Sequence, residues 1–594
     1  MHHITDIRIQ NFRSCRDVSL VLSACTPIVG YNNAGKSNIM TAIEWLVSPH
    51  ALDEGDFFDC EQSVIVEGKI EGLDDAMLDR LGSGHREKIR PFIEHDCLAI
   101  RRVQAEPGCG KAGVKLEVFN PETTPDNVGA WQPTPTGIPQ AIQALFPEPI
   151  FIGAMEDAAE DATKSKTGTT LGKLLAEFTL PLEQAHGAEI QAVFDTVSQQ
   201  LASDGKQRAK ELQRFDTEAT QAVADFFPGI NLHLDIPVPE VKALFRQGTV
   251  KVSEHGRGAI RDFTSLGHGA QRSIQMALIR YLAELKAGDG QQGQRRLLLV
   301  EEPELFLHPQ AIEQVRTALE SLALSGYQVL FATHSPMMID RTAIPHTRIV
   351  RKDTQTGETR VMPSVGEALQ RRVESADSRL YTLFELSNAS GWLFSDRALL
   401  AEGKTERRLL PVLYRSVTGR TLTAARIAVM NLGGVGSVPH CLEVFSELGI
   451  EAYALADFDF ATNQAVQHRL IDTQDSDLND CLAQIAAMAV GDSTIKLGDN
   501  GRPTNKGQKK AAQVYSEWAQ TVSGQPVAMA LHDKLKAQGV WLWPVGDIEA
   551  VLGLPGDKTE REWAEYAQRL EECPVEECVP MLGVLTDFFQ WLGE

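Results

Sequence analysis

The stretch Gly30-Tyr31-Asn32-Asn33-Ala34-Gly35-Lys36-Ser37 carries the residue types that hold a nucleoside triphosphate. Glycines at 30 and 35 let backbone N–H groups, those of Asn32, Asn33 and Ala34 among them, turn toward phosphate oxygens. Lys36 adds a point charge at the β and γ oxygens, and Ser37 can ligate Mg²⁺. A second, acidic constellation lies far downstream: Glu402-Gly403-Lys404-Thr405-Glu406, then Asp457-Phe458-Asp459. It gathers enough carboxylates to hold Mg²⁺ ions against a phosphodiester. Together the two signatures point to phosphodiester cleavage gated by a nucleotide.

The elements around the first signature suit it. Thr26-Pro27-Ile28-Val29 reads as a short buried strand ending at Gly30, and from Asn38 the spacing of Ile39, Ala42, Ile43 and Leu46 predicts a helix. Further on, the apolar strand Arg296–Val300 delivers Glu301 and Glu302 at its end. One carboxylate there can hold Mg²⁺ through water, and Glu302 is the general base for the attacking water. Leu305-Phe306-Leu307-His308-Pro309 follows, and the strand Val329–Ala332 ends in Thr333-His334-Ser335-Pro336, where His334 can contact a γ-phosphate. Upstream, Ser265-Leu266-Gly267-His268-Gly269-Ala270-Gln271-Arg272 opens a helix whose glycine-rich N-terminus can face a phosphate.

In this order the motifs resemble the ABC-type ATPase heads of the RecF, SMC and Rad50 group: Walker A, signature, Walker B, D-loop and switch histidine. The opening Ile7-Arg8-Ile9-Gln10-Asn11-Phe12-Arg13-Ser14, followed by Val18, Leu20 and Leu22, resembles the first hairpin of those heads. Two features depart from the pattern. The Walker B acid is Glu301 rather than Asp, and the signature is not Leu-Ser-Gly-Gly, so either Ser265 or the Gly267-His268-Gly269 turn takes the serine's place. Between Walker A and the signature, Ile190, Val193, Phe194, Val197 and Leu201 fall at helical spacing, as do Leu212, Phe215, Ala219, Ala222, Val223 and Phe226. This insertion, about Glu156 to Phe227, is framed by strand-like Pro149–Ile152 and Asn231–Leu234. It reads as a helical arm for self-association or as an internal subdomain.

After the switch histidine, Thr347–Arg351 and Thr359–Met362 read as a hairpin, and the polar run from Ser364 to Ser378 as a linker. A new α/β unit begins with the strand Arg397–Ala401, whose end carries Glu402. If Lys404 starts a helix, Glu402 and Glu406 reach one site. The strand Arg426–Met430 ends in Asn431-Leu432-Gly433-Gly434. The strand Glu451–Ala456 ends in Asp457 and Asp459, expected on the same side by strand alternation. Acids after apolar strands repel one another unless cations neutralise them. The pattern resembles the Toprim domain of topoisomerases, primases and nucleases. A later strand, Val540–Val545, leads into Gly546-Asp547-Ile548-Glu549 and then Lys558, similar to the further acidic motif of the OLD (overcoming lysogenization defect) branch, in which an ABC ATPase is fused to a Toprim nuclease.

That resemblance implies four segments. An α/β ATPase head (1–155 and 229–375) is interrupted by a helical insertion (156–228), and a Toprim α/β domain (376–594) follows, itself carrying an insertion at about 461–538. It implies ATP as ligand, Mg²⁺ or Mn²⁺ at both sites, and DNA as substrate. It also implies a homodimer with a role in anti-phage defence, with a protein from a neighbouring gene as a further possible partner. Glu402, Asp457 and Asp459 are the expected core ligands, Glu406, Asp547 and Glu549 serve a second ion, and Lys558 stabilises the charged transition state. ATP engagement is expected to alter DNA access through the linker, either opening the nuclease or holding it shut, with restraint of cleavage the favoured sign because a nuclease active at normal ATP levels endangers the host genome. Two rivals are an SMC-like clamp with a silent Toprim domain and a transesterifying enzyme. The second needs a tyrosine nucleophile in a breakage domain, and none of the eight tyrosines has that context.

Composition sets outer bounds. The chain of 594 residues accommodates two or three domains. No apolar stretch approaches the length of a membrane span, and Met1-His2-His3-Ile4 starts no signal peptide, so a cytoplasmic protein is expected. Nine cysteines without paired metal spacing suit reduced thiols. A net charge of −23 excludes a broadly basic DNA-coating protein but leaves local guides for DNA, such as Arg502, Lys506, Lys509 and Lys510 or Arg407-Arg408.

Overall fold

The computed structural model describes residues 2–80, 83–121, 131–145, 149–153, 170–224, 227, 229–238, 240–241, 244, 251–254, 257–288, 296–372, 390–401, 403–432, 435–555 and 559–593. The chain divides into two compact units, Met1–Thr26 with Lys36–Thr333, and Pro27–Gly35 with His334–Glu594.

In the first unit, β1 (His3–Phe12) and β2 (Cys15–Val21) form the expected hairpin, with Phe12 opposite Cys15 and Ile9 opposite Val18. Asn11 takes a left-handed φ of 60° near its turn. Its side-chain amide holds it there, donating to the carbonyls of Asp59 and Gln62. After β3 (Cys25–Val29), the strands β4 (Val64–Glu71), β5 (Leu98–Gln104), β6 (Val114–Phe119) and β7 (Trp131–Pro133) extend the hairpin into an antiparallel sheet of order β2-β1-β4-β5-β6-β7. Every second residue of β4 is buried, and the helix Lys36–Val47 packs on that sheet. Its Ile39, Ala42, Ile43 and Leu46 are all buried, as their spacing predicts. Leu46 reaches so close to Gly68 that a Cβ there would lie 2.5 Å from it.

Beyond β8 (Ile150–Ile152) come two helices, Thr170–Leu201 and Lys210–Ala224, in the segment expected to be helical. Arg208 joins them, donating to Asp216 at 2.7 Å and to the carbonyls of Leu201, Ala202 and Leu234. The expected strand at Asn231–Leu234 belongs to no sheet among the described residues. Side chains of the second helix satisfy its backbone instead: Leu232 N–H donates to Thr220 Oγ1 and Leu234 N–H to Asp216. Leu182 and Val193 on the first helix, Phe215 on the second and Phe227 beyond it are exposed. A two-stranded pair, β9 (Lys251–Glu254) and β10 (Arg257–Asp262), precedes the helix His268–Gly288. Then β11 (Arg296–Glu301) lies parallel between β8 and β12 (Tyr327–Thr333), and both longer strands are almost wholly buried, as strands covered on both faces are.

In the second unit, β13 (Arg348–Lys352) pairs antiparallel with β14 (Thr359–Val361) and parallel with the end of β3, Arg348 opposite Ile28. The expected linker at Ser364–Ser378 begins as a helix, Val365–Arg372, with Val365, Ala368 and Leu369 buried. The sequence held its start signal: Ser364 Oγ accepts from Glu367 N–H while Glu367 accepts from Ser364 N–H, a reciprocal cap. The rest of that expected linker, from 373, lies outside the described residues.

A parallel sheet follows, β15 (Arg397–Ala401), β16 (Ile427–Asn431), β17 (Glu451–Ala456) and β18 (Val540–Leu542), in the order β16-β15-β17-β18. The strand expected to run to Val545 stops at Leu542, two residues before Pro544, which has no N–H to give a ladder. Leu399, Leu409, Leu410, Leu413, Trp541, Trp543 and Phe588 form the core on one face. The stretch 461–538 holds the helices Ser476–Gly491, Ala511–Ala519 and Gly524–Lys536. Among the described residues no helix is long and apolar enough to cross a membrane.

Candidate active sites

Packing alone requires the two glycines of the expected phosphate loop. A Cβ on Gly30 would sit 2.3 Å from the Val350 carbonyl oxygen. Gly35 has φ +104°, and a Cβ there would meet Thr359 Oγ1 at 2.0 Å. Thr359 in turn donates to the carbonyl of Ala34 at 3.0 Å, and Lys352 reaches Asn33 Oδ1 at 3.4 Å. Asn32 and Asn33 are exposed, Asn33 at φ +64°. The loop is therefore fixed from behind by the β13–β14 hairpin.

The first unit contains the residues that follow the loop. Lys36 opens its helix with its side chain buried, and burial pulls its ammonium down to about 8, against the opposing pull of Glu302, Glu301 and Glu304. Ser37 is exposed beside it. Glu301 ends β11, nearly buried, and Glu302 takes a left-handed φ of 43°, its N–H donating to the Ala332 carbonyl at 2.8 Å. A non-glycine residue in that region is strained and over-determined by its surroundings. Arg272 supplies part of that determination. Its Nη1 donates to the Gly153 carbonyl at 2.9 Å, and its Nη2 donates to the carbonyls of Glu301 and Glu302. Burial lowers this guanidinium to about 10. Glu304 accepts from Thr333 at 2.7 Å. Ser265 donates to the Asp262 carbonyl from a short turn, two residues ahead of Gly267 and the helix that contains Gly269. His334 directly follows β12, half-buried.

The described Toprim candidates lie in the segments that follow β15, β17 and β18 of the second unit. Glu402 and Lys558 lie outside the described residues. Gly403 and Lys404 begin a helix as expected, Lys404–Thr418, and Glu406 in its first turn is buried. Its carboxylate lies where a Cβ on Gly403 would be, at 2.6 Å. Thr405 donates to Glu549 at 2.7 Å, which ties the Gly546-Asp547-Ile548-Glu549 segment to this turn. Asp547 caps its own short helix by accepting from Ala550 N–H at 2.8 Å. Gly546, at φ +117°, passes Ser516 too closely for any side chain and accepts from Phe458 N–H at 2.7 Å.

One geometric expectation is corrected. Asp457 and Asp459 do not alternate along a strand, because β17 ends at Ala456 and Asp459 starts the helix Asp459–Thr462. Asp459 faces a cavity of about 320 Å³ lined by Asn463, Gln464, Gln467 and Arg502, and burial raises its carboxyl above the ordinary range. Among the described residues no three His, Cys, Asp or Glu side chains form a metal-holding group. The donors that are present are all carboxylate oxygens, the ligand type of Mg²⁺ and Mn²⁺. Of the expected DNA guides, Lys509 is spent on Asp492 at 2.9 Å and Glu517 at 2.5 Å, and Arg408 on Glu560 at 2.7 Å.

The "Old nuclease" of Escherichia phage P2 is 35% identical over 599 aligned positions, which cover 99% of this chain and 99% of that protein. The chain belongs to the OLD family. An OLD nuclease from Thermus scotoductus is 23% identical over 76% of this chain and 81% of its own length. The family model described as "Overcoming lysogenization defect protein-like, TOPRIM domain" matches residues 393–459, and an AAA ATPase domain model matches 3–77 and 155–339. The fold class is accordingly α/β, an ATPase domain followed by a Toprim domain. A solved SMC head bound to a winged-helix domain of ScpA aligns at 15% identity and a TM-score of 0.33 over 62% of this chain and 99% of that one, too low a score to carry an argument. Within this OLD chain, sequence reasoning missed Arg272, although it closes the very segment taken as the signature. The available signal was a polar run, Gln271, Arg272 and Gln275, that the structure buries on a helix.

Proposed function

We propose that this OLD-family chain is an ATP-binding and ATP-hydrolysing DNA endonuclease, dependent on Mg²⁺ or Mn²⁺, that acts as a homodimer in defence against phage. The observation that carries the reading is the combination, on one chain alignable end to end with an Old nuclease, of a buried Lys36 facing Glu301, Glu302 and Glu304 and a parallel sheet with acids at its strand ends. In the ATPase, Ser37 and Glu301 would hold Mg²⁺. Lys36 contributes its charge to the phosphates, Glu302 accepts the proton of the attacking water, and His334 and the Ser265–Gly269 segment contact the γ-phosphate.

In the nuclease, Glu402, Asp457 and Asp459 would hold one ion, and Glu406, Asp547 and Glu549 a second. Bound ions of this kind lower the pKa of a water and stabilise the leaving oxygen. Lys558 offsets charge in the transition state. Asp457 directly follows β17 and Asp459 lines a cavity with polar neighbours, which supports the assignment. Exposed Val193, Phe215 and Phe227 on the insertion arm support self-association through that arm. The test is nicking of supercoiled plasmid by the purified chain with and without Mg²⁺ or Mn²⁺. Metal-dependent nicking is expected, and a silent Toprim domain would leave the plasmid intact under every condition.

A further inference from the structure

The second residue of the phosphate loop is a tyrosine, and its contacts lead away from phosphate. The Tyr31 phenol donates to the carboxylate of Asp396, which immediately precedes β15. Arg351, from β13, places its guanidinium 5.0 Å from the Tyr31 ring centre and donates to Asp396 at 3.2 Å and to the Ser395 carbonyl at 2.7 Å. Arg426, immediately before β16, lies 4.6 Å from the same ring centre and 3.4 Å from the second oxygen of Asp396. Its carbonyl accepts from the N–H groups of both Asp396 and Arg397, and its own φ is +57°. Two cations on one aromatic ring and one carboxylate bridging all three make a rigid knot, since each contact restricts the others.

The place of the knot matters more than its strength. β15 and β16 are neighbours in the Toprim sheet, paired from Arg397–Ile427 through Ala401–Asn431. The knot holds their N-terminal ends. Their C-terminal ends lead into Glu402 and Leu432, and the Leu432 N–H donates to the Ala401 carbonyl. The two strands are paired along their whole length, so the knot at one end and the C-terminal ends at the other belong to a single ladder. Asn33 and Ala34 of the loop are tied to Lys352 and Thr359 of the same hairpin that supplies Arg351.

We propose that Tyr31, Arg351, Asp396 and Arg426 are positioning residues through which nucleotide on the phosphate loop sets the placement of β15 and β16 and so regulates DNA cleavage. This rests on the reading of the loop as an ATP site and of the Toprim domain as a nuclease. The experiment measures plasmid nicking with and without ATP at fixed free Mg²⁺, for the full-length wild type, Asp396→Asn, Arg426→Leu, Tyr31→Phe and the Tyr31→Phe/Asp396→Asn double variant.

In the wild type, ATP is expected to change the nicking rate by about 5- to 150-fold, the usual range for coupled sites. Asp396→Asn and Arg426→Leu should bring that ratio close to one while ATP turnover and nucleotide-free nicking stay within about threefold of wild type. Because the residues act as one unit, the double variant should lose no more coupling than either single change. If ATP alters wild-type nicking and both Asp396→Asn and Arg426→Leu respond just as strongly, or if the single effects add in the double variant, the knot is not the route. Wild-type nicking that ignores ATP would overturn the coupling itself, and an absence of nicking would overturn the nuclease reading beneath it.

Discussion

Arg272 donates through Nη2 to the carbonyl oxygen of Glu302 at 3.0 Å, so the helix that follows the signature segment grips the backbone of the proposed general base. The grip extends to the carbonyls of Glu301 and Gly153. Arg272→Met would leave three carbonyls without this donor, each at a cost of about 1–3 kcal/mol if it stays buried. With Glu302 free to shift, turnover should fall by about 10²-fold. Arg272→Lys should recover only part, because an ammonium lacks the planar fork. Steady-state ATP hydrolysis alongside nucleotide affinity is the measurement, and wild-type turnover in Arg272→Met would remove the positioning role.

Glu302→Gln should keep ATP bound and slow its hydrolysis by about 10²- to 10⁴-fold, the usual contribution of a general base. Lys36→Ala should weaken binding itself. An ATP dissociation constant and a turnover number for each variant separate the two effects. Full hydrolysis by Glu302→Gln would mean that another residue activates the water.

The lowered ammonium of Lys36 gives two pH dependences of opposite sign. In the folded chain the group titrates near 8, against an ordinary value of 10.5. Between those values the unfolded chain binds more protons, so this group's contribution makes the nucleotide-free protein more stable as pH rises through that window. ATP needs the charged form. Its affinity should therefore weaken above pH 8, by up to about tenfold per pH unit. Titrations of ATP affinity and melting temperature from pH 7 to 10 check both. A wild-type affinity profile indistinguishable from that of Lys36→Met would show that Lys36 charge plays no part.

The legible parts of this fold were those in which local pattern and tertiary burial agree. The helix after the phosphate loop, the buried β11 and β12, and the β15, β16 and β17 strands all declared themselves through apolar spacing, because each packs an apolar face or is covered on two. The errors lie where side chains replace the usual backbone partners. Asn231–Leu234 is apolar and alternating, yet Thr220 and Asp216 answer its amides. Ser364–Arg372 looks polar because only one helix face is buried, although its Ser364–Glu367 cap was visible. Asp457 and Asp459 are two apart in sequence, but the strand ends before both. Arg272 and Tyr31 act through contacts that close only in three dimensions, with Gly153 and with Asp396, and no spacing rule reports those pairings.

The central claim, that the Toprim acids of this chain cut DNA with a divalent ion, is tested most directly by plasmid nicking with wild type, Asp457→Ala and Glu402→Ala at equal Mg²⁺. Circular dichroism and ATP affinity verify that each variant is folded. The account predicts metal-dependent nicking by the wild type and none by either variant, with ATP binding unchanged in all three. Undiminished nicking by both folded variants would contradict it.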